Sequence, residues 1–370
     1  NDRTEVVRIL KFDEEWEFQD STSLYGANTY IPFEAGSLRC TEYNGFLYIH
    51  TCHEMYADNS GLNHQANMTI ALRQSNMTIT DAQYNVTYEY GYVSHSFNQF
   101  ILVDQNSYIV TLDHGDAYPR SAVIHRYTDK AGRTIAGNTS EVHIQDFPGS
   151  IGNNSTGASL GGLAETTSGY LTAYSYNGTG AENTRRLSNP VCNVYLSYTG
   201  RDSFSEYDTS IEQLTAYEAG GRMSAGTPVL VSTGLNGGYV LWDIQQRNEE
   251  ANYDIYQSSG TIAYARYDSY GHVEPVQTVS GQLSDCQPIV VEGKVVWYVT
   301  DNSTPVFYVL DDSGLTCHNS NEGVAYGIDV NNEKFRKFIA KDKSGTESAV
   351  IRLLTFRNVK KLISAIHEAG

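Results

Sequence analysis

From its first residues to about residue 330 the chain alternates apolar and polar positions at period two, in runs broken by Gly, Asn or Asp. This is the pattern of short strands joined by tight turns. A three-strand unit recurs five times: a short strand, a Gly- or Asn-containing turn, a strand ending in polar residues, and a third alternating strand. The first copy spans residues 38–41, 46–51 and 66–72 around Asn44-Gly45, a strong hairpin signal. The others span 97–103, 108–112 and 121–127; 160–165, 170–176 and 191–198; 228–232, 239–244 and 261–267; and 287–291, 294–300 and 305–310. Their turns recur about every 55–69 residues, the spacing of a four-stranded blade with variable outer loops. The expected fold is therefore all-β: a β-propeller of five to seven blades, six being the expected number, over residues 1–320. A strand at 5–12 is placed to complete the last blade and so remove an exposed edge.

The pattern changes near Asn331. Residues 333–339 and 358–367 carry helical spacing around a strand at 348–356, which predicts a small C-terminal α/β appendage over 321–370. Nine of the 25 Lys and Arg fall between Lys334 and Lys361.

Composition narrows the function. A formal net charge of −18 argues against nucleic acid, which needs a cationic face. No stretch approaches the roughly 18 apolar residues that cross a bilayer, so membrane insertion is not expected. Few Lys, 28 Tyr, abundant Asn and Thr, and the acidic balance suit a secreted or cell-surface protein. The five Cys are widely spread without a CxxC pair, and the Asn44-Gly45 turn sets Cys40 opposite Ile49, away from Cys52. Trp16, Trp242 and Trp297 offer either a sugar-stacking platform or filling between blades.

The candidate chemistry is regional, since seven of the ten His lie between His50 and His143. Overlaying the first two hairpins sets 49–53 against 109–113, so the polar clusters around His53 and Asp113 fall at the same end of equivalent strands. Equivalent positions of the later blades carry no His, which points to one site at a mouth formed by two blades. The expected ligand-binding residues are His53, Glu54, His64, Asn98, Asp113, Asp116 and Tyr118, and the expected catalytic residues are His95, His114 and Arg120. The ligand would be a glycan or another polar extracellular molecule. Alternatives are an enzyme using the same cluster, by metal-assisted hydrolysis or His-mediated group transfer, and a structural spacer. No cofactor is fixed by the sequence: imidazoles with Glu54, Asp113 or Asp116 would suit a divalent metal, but no helical HExxH spacing supports one.

Residues 28–39, with CHEMY from Cys52, NHQAN from Asn63, SHSFNQF from Ser94 and DHGDAYPR from Asp113, resemble an uncharacterised family of secreted bacterial propeller domains in multi-domain surface proteins of Gram-positive bacteria. The resemblance implies export and further domains of a larger surface protein as partners, and it carries no known activity. A fainter similarity to aryl-sulfate sulfotransferase propellers rests on His95, His114 and Arg120 and implies a His nucleophile.

Overall fold

In a computed structural model the chain is described over residues 3–13, 17–32, 36–86, 98–135, 139–179, 190–249, 255–301, 304–319, 340–341 and 347–348. It divides into two compact units, residues 1–259 with 263–277, and residues 260–262 with 278–370.

In the first unit, β1 (Glu5–Phe12) and β2 (Phe18–Tyr25) form an antiparallel hairpin. The strand at 5–12 has the expected bounds, but its partner is β2 and not a strand of the last blade. The sequence 18–25 supplies that partner within a short loop, so the pairing is local and costs little closure entropy.

Blade one contains β3 (Thr29–Pro32), β4 (Leu38–Tyr43), β5 (Phe46–Ala57), β6 (Asn63–Arg73) and β7 (Thr78–Val86). Both β3 and β4 pair with β5, so the first strand of this blade is split in two. Asn44 and Gly45 take φ of 51° and 77°, the left-handed pair that a two-residue hairpin turn requires, and Cys40 lies opposite Ile49 as expected. Blade two contains β8 (Gln99–Val103), β9 (Tyr108–His114), β10 (Ser121–Lys130) and β11 (Thr139–Asp146), paired in sequence order. Blade three contains β12 (Ala158–Glu165), β13 (Gly169–Tyr176), β14 (Asn193–Gly200) and β15 (Thr209–Gln213). Blade four begins with another split first strand, β16 (Met223–Ala225) and β17 (Val229–Gly234), both on β18 (Gly237–Arg247), and continues with β19 (Tyr256–Asp268) and β20 (Gln277–Ser280).

The first strands β4, β8, β12 and β17 lie against one another in succession, the arrangement of propeller blades about a common axis. Polar side chains stitch them. Ser37 N donates to Gln99 Oε1 at 2.7 Å, Gln99 N donates to Ser37 Oγ at 2.8 Å, and Leu160 N donates to Asn98 Oδ1 at 3.3 Å. Gly161 and Gly162 permit the next approach, because a Cβ there would meet Pro228 O at 1.8 Å and Leu230 Cβ at 2.4 Å.

The second unit holds a further antiparallel sheet of β21 (Ile289–Val291), β22 (Lys294–Asp301), β23 (Thr304–Asp311) and β24 (Gly314–Asn319). Among the described residues there are thus five sheets of four or five strands, each centred on one of the five predicted hairpins. Beyond residue 319 only the short antiparallel pair Ala340–Lys341 and Glu347–Ser348 is described. The helices expected at 333–339 and 358–367, and the strand at 348–356 beyond Ser348, lie outside the described residues.

Blade faces explain the burial. All eight residues of β13 are buried because both faces of that blade are covered, and a doubly covered strand loses simple in–out alternation. The second and third blades share an apolar, tyrosine-rich core that includes Leu112, Ile124, Leu160 and Tyr174. The third and fourth share another, built on Leu171, Leu196, Val240 and Trp242. Trp242 and Trp297 are buried, the latter stacked on Tyr308 at 5.2 Å, so both fill space; Trp16 lies outside the described residues.

Candidate functional site

The residues expected at a shared mouth are distributed over several faces, and strand parity is the reason. Asp113 and His114 are consecutive on β9, so their side chains leave opposite faces of blade two. Asp113 points toward blade one, where its Oδ1 meets His50 Nε2 at 2.9 Å. His114 points toward blade three, where Nε2 meets Thr156 Oγ1 at 2.8 Å and the ring packs edge-on against Phe147 at 5.2 Å. His53 has the parity of Asp113 within its own blade and so faces away from blade two. Equivalent positions of successive blades are separated by a sheet, and the partner of Asp113 is the residue of opposite parity, His50.

His53 is buried between β3 and β7: Nδ1 meets Thr29 Oγ1 at 2.7 Å and Nε2 donates to Tyr84 O at 2.6 Å. Burial pushes its pKa below the ordinary imidazole value, against the opposing pull of the Tyr84 carbonyl. His64 lies at the tip of the β5–β6 hairpin, with Nε2 3.0 Å from Asp58 Oδ2. Asp58 Oδ1 also accepts from Ser60 N and Leu62 N, which makes this segment a hydrogen-bonded turn. Glu54 is half-buried where β3 meets β5, opposite Ile31, and Asn98 is spent on the blade two to blade three stitch.

Arg120 is buried, and its guanidinium hydrogen-bonds to backbone carbonyls. Its guanidinium donates to the carbonyls of Asp116 at 3.0 Å, Pro148 at 3.3 Å and Ser155 at 3.3 Å, and to that of Asn153. Those carbonyls belong to two segments, the β9–β10 loop and the β11–β12 loop, so one side chain fixes both. Gly152 N donates to Asp116 O at 2.9 Å, and Gly115 and Ser121 exchange backbone bonds of 2.9 and 3.1 Å at the loop base. The loop contains a cis Tyr118-Pro119 bond, and a Cβ at Gly115 would meet Pro119 O at 2.3 Å. Asp116 is buried within this frame, whereas Tyr118 at its tip is 45% exposed. Burial brings the pKa of His114 down to about 4, with Asp116 opposing and Arg120 reinforcing the fall, so the ring is neutral near pH 7. His95 lies outside the described residues.

Thus the residues expected to touch a ligand mostly position those that can. His53 ties Thr29, next to Tyr30, to Tyr84, and Arg120 ties down the loop of Tyr118. Tyr30, Tyr84 and Tyr118 are 57%, 39% and 45% exposed; strand register puts Tyr30 and Tyr84 toward the end of blade one where β5 finishes, and the loop of Tyr118 leaves β9 just after Asp113, which pairs with Gln99, the residue that Ser37 of blade one bonds. Tyr30 and Tyr84 escaped notice because a strand Tyr is common in this chain, and only the buried His between them marks them out.

A second polar constellation sits in the blade one to blade two interface. His50 Nδ1 meets Thr69 Oγ1 at 2.8 Å, Thr69 Oγ1 lies 3.2 Å from Tyr127 OH, and Thr111 Oγ1 donates to Asp113 Oδ2 at 3.3 Å. Hydroxyl, imidazole and carboxylate stand in the order of a nucleophile, base and acid, yet Thr69, His50 and Asp113 are all completely buried, which keeps a substrate from the hydroxyl. Burial would raise the Asp113 pKa, but the His50 and His125 imidazoles outweigh it and hold the carboxyl down to about 2. Among the described residues no three His, Cys, Asp or Glu side chains are arranged to hold a metal ion, so the described members of the anticipated metal-ligating set, His53, His64, His114, Glu54, Asp113 and Asp116, do not assemble one; its remaining member, His95, lies outside the described residues. Cys40, Cys192, Cys286 and Cys317 are free thiols.

No protein-family model matches the sequence, and no curated protein is similar to it at a significant level. Solved structures with a distant likeness include an α-L-arabinanase of Cellvibrio cellulosa, with 12% identity over 67% of this chain and 80% of that one at a TM-score of 0.37. A protein of unknown function from Dyadobacter fermentans shares 12% identity over 85% of this chain and 82% of its own, at a TM-score of 0.42. The polysaccharide lyase Uly1 shares 7% identity over 76% and 80%, at a TM-score of 0.41. The propeller architecture rests on the sheets of this chain itself.

Proposed function

We propose that this chain is an extracellular propeller that binds a glycan, without chemistry, at the end of the first two blades through Tyr30, Tyr84 and Tyr118. The observation that carries the reading is that three exposed Tyr each belong to a segment tied to a buried polar group: His53 bonds the hydroxyl of Thr29, next to Tyr30, and the backbone carbonyl of Tyr84, and Arg120 bonds the Asp116 carbonyl in the loop of Tyr118. A Tyr ring offers an apolar face for the C–H face of a sugar and a hydroxyl for its polar rim. Holding the backbone beneath each ring lowers the ordering cost of binding. Glu54 and His64, partly exposed near the same end of blade one, add polar contacts at the margin. Of the three residues that an enzymatic reading needs, His114 and Arg120 are turned inward and engaged, and His95 lies outside the described residues. The acidic surface and the absence of any described helix long and apolar enough to span a membrane are compatible with export, and other domains of a surface protein would be its covalent neighbours.

A glycan array probed with the purified chain tests the proposal. The expected result is a restricted set of bound glycans whose signal falls at least tenfold in Tyr118→Ala. No binding to any glycan, or full binding by the Tyr30→Ala, Tyr84→Ala, Tyr118→Ala triple variant, would reject it.

A further inference from the structure

Two imidazoles of blade two each stand between two carboxylates. His125 Nδ1 is 3.5 Å from Asp113 Oδ2 and its Nε2 is 3.6 Å from Glu141 Oε2. His143 Nε2 is 3.3 Å from Glu141 Oε1 and its Nδ1 is 3.8 Å from Asp146 Oδ1. Strand register builds this series. His125 pairs with Thr111 on one side and Glu141 on the other, and Val123 pairs with Asp113 and His143, so all of them share the face turned toward blade one. At the inner end His50 reaches across from blade one to Asp113, and at the outer end Asp146 is exposed. The row His50, Asp113, His125, Glu141, His143, Asp146 therefore runs from the closed interface between two blades to water.

A neutral imidazole carries one N–H and one lone-pair nitrogen, so between two carboxylates one nitrogen must face an anion lone pair to lone pair. Only the imidazolium presents a donor to both. With His125 and His143 neutral, three carboxylates would crowd one face with His50 as the sole imidazole donor from blade one. With both protonated, the row nearly balances.

We propose that this row of alternating acids and imidazoles is a pH-operated fastener of the first two blades, closed when His125 and His143 are imidazolium and loosened when their protons leave to water. The protons pass to solvent at the Asp146 end and no other reactant is involved. The groups facing His125 are Asp113 of β9 and Glu141 of β11; His50 of β5 faces Asp113, and Asp113 and Asp81 of β7 act on Tyr127, two residues along the strand of His125. Arg39 of β4 lies opposite His50 in register, its guanidinium over the Phe100 ring at 5.2 Å, and Glu206 acts on His143 from outside. Burial opposes charge on His125, but Asp113 and then Glu141 overcome it and raise its pKa; for His143 Glu141 is the leading cause of the rise. A raised imidazole pKa contributes stability that is complete below the unfolded value of about 6.5 and is lost as pH climbs through the folded value. Each such proton changes the unfolding equilibrium by up to about tenfold per pH unit in that window. The proposal is independent of the glycan reading.

The test is an NMR titration of the His ring resonances in the full chain, alongside urea unfolding at pH 6 to 9, for the native protein, Glu141→Gln and His143→Gln. Both substitutions sit at the half-buried outer end of the row, where the core is untouched. The expected result is that His125 and His143 titrate above free imidazole, that the unfolding equilibrium rises at least tenfold between pH 6.5 and 8.5, and that Glu141→Gln lowers the His125 pKa and flattens that rise. A His125 ring already neutral at pH 6, a native unfolding equilibrium indifferent to pH in this range, or a Glu141→Gln profile parallel to the native one would overturn it.

Discussion

His50 of blade one and Asp113 of blade two lie 2.9 Å apart, both without solvent exposure, and form the polar bridge at the centre of the interface between those blades. The interface of blades two and three combines an apolar, tyrosine-rich core with a buried ion pair of its own, Arg201 Nη1 to Asp104 Oδ2 at 3.1 Å. A buried acid–imidazole pair is costly to assemble, but costlier to break on one side only.

His50→Ala is therefore expected to destabilise the fold by about 3–5 kcal/mol, because it removes a hydrogen-bond donor from a fully buried carboxylate. Urea unfolding at pH 7 measures this. A loss below about 1 kcal/mol would mean that Asp113 does not depend on the bridge.

Arg120 is expected to be irreplaceable by Lys. The fork of the guanidinium reaches carbonyls on two loops, and a single ammonium cannot serve the same set. Arg120→Lys should cost about 1–3 kcal/mol for carbonyls left buried without donors, and should speed hydrogen exchange in residues 115–120 and 148–155 together. Faster exchange in one segment alone would show that Arg120 does not couple them.

The buried imidazoles of His114 and His53 act on stability in the sense opposite to His125. Their pKa values are lowered in the fold, chiefly by burial, so the fold favours the neutral ring of both. For such a group the contribution is complete above the unfolded value of about 6.5 and is lost as pH falls through the folded one, which for His114 is about 4. The midpoint of thermal unfolding should thus fall as pH drops from about 6.5 to 4, and His114→Phe should weaken that fall. An unchanged slope in His114→Phe would remove His114 from the account.

Much of the fold was legible because the strand signal is local. Asn44-Gly45 sets a hairpin by backbone preference alone, and the observed Cys40 to Ile49 pairing follows from it. All five central hairpins lie where turn residues and period-two runs put them. The partner of the strand at 5–12 was not legible, because pairing between strands depends on which edge is nearest in space. The site was legible in region and misread in grouping. His53, Asp113 and His114 were gathered by sequence proximity, whereas parity sends Asp113 and His114 to opposite faces of one sheet. The same parity carried a usable signal: Glu141 opposite His125, with Asp113 and His143 on either side of Val123, puts the acids and imidazoles of the row on a single face. Tyr118 was found from its motif, while Tyr30 and Tyr84 needed the hydrogen bonds of His53 to be noticed.

The most direct test of the central claim, that exposed phenols bind while buried acids and imidazoles hold the blades, is to measure glycan affinity and thermal midpoint side by side in Tyr118→Ala and Asp113→Asn. The account predicts that Tyr118→Ala loses at least tenfold in affinity with stability changed by no more than about 0.5 kcal/mol, and that Asp113→Asn unfolds at lower temperature yet binds normally while folded. The reverse pattern, with binding lost in Asp113→Asn and kept in Tyr118→Ala, would contradict it.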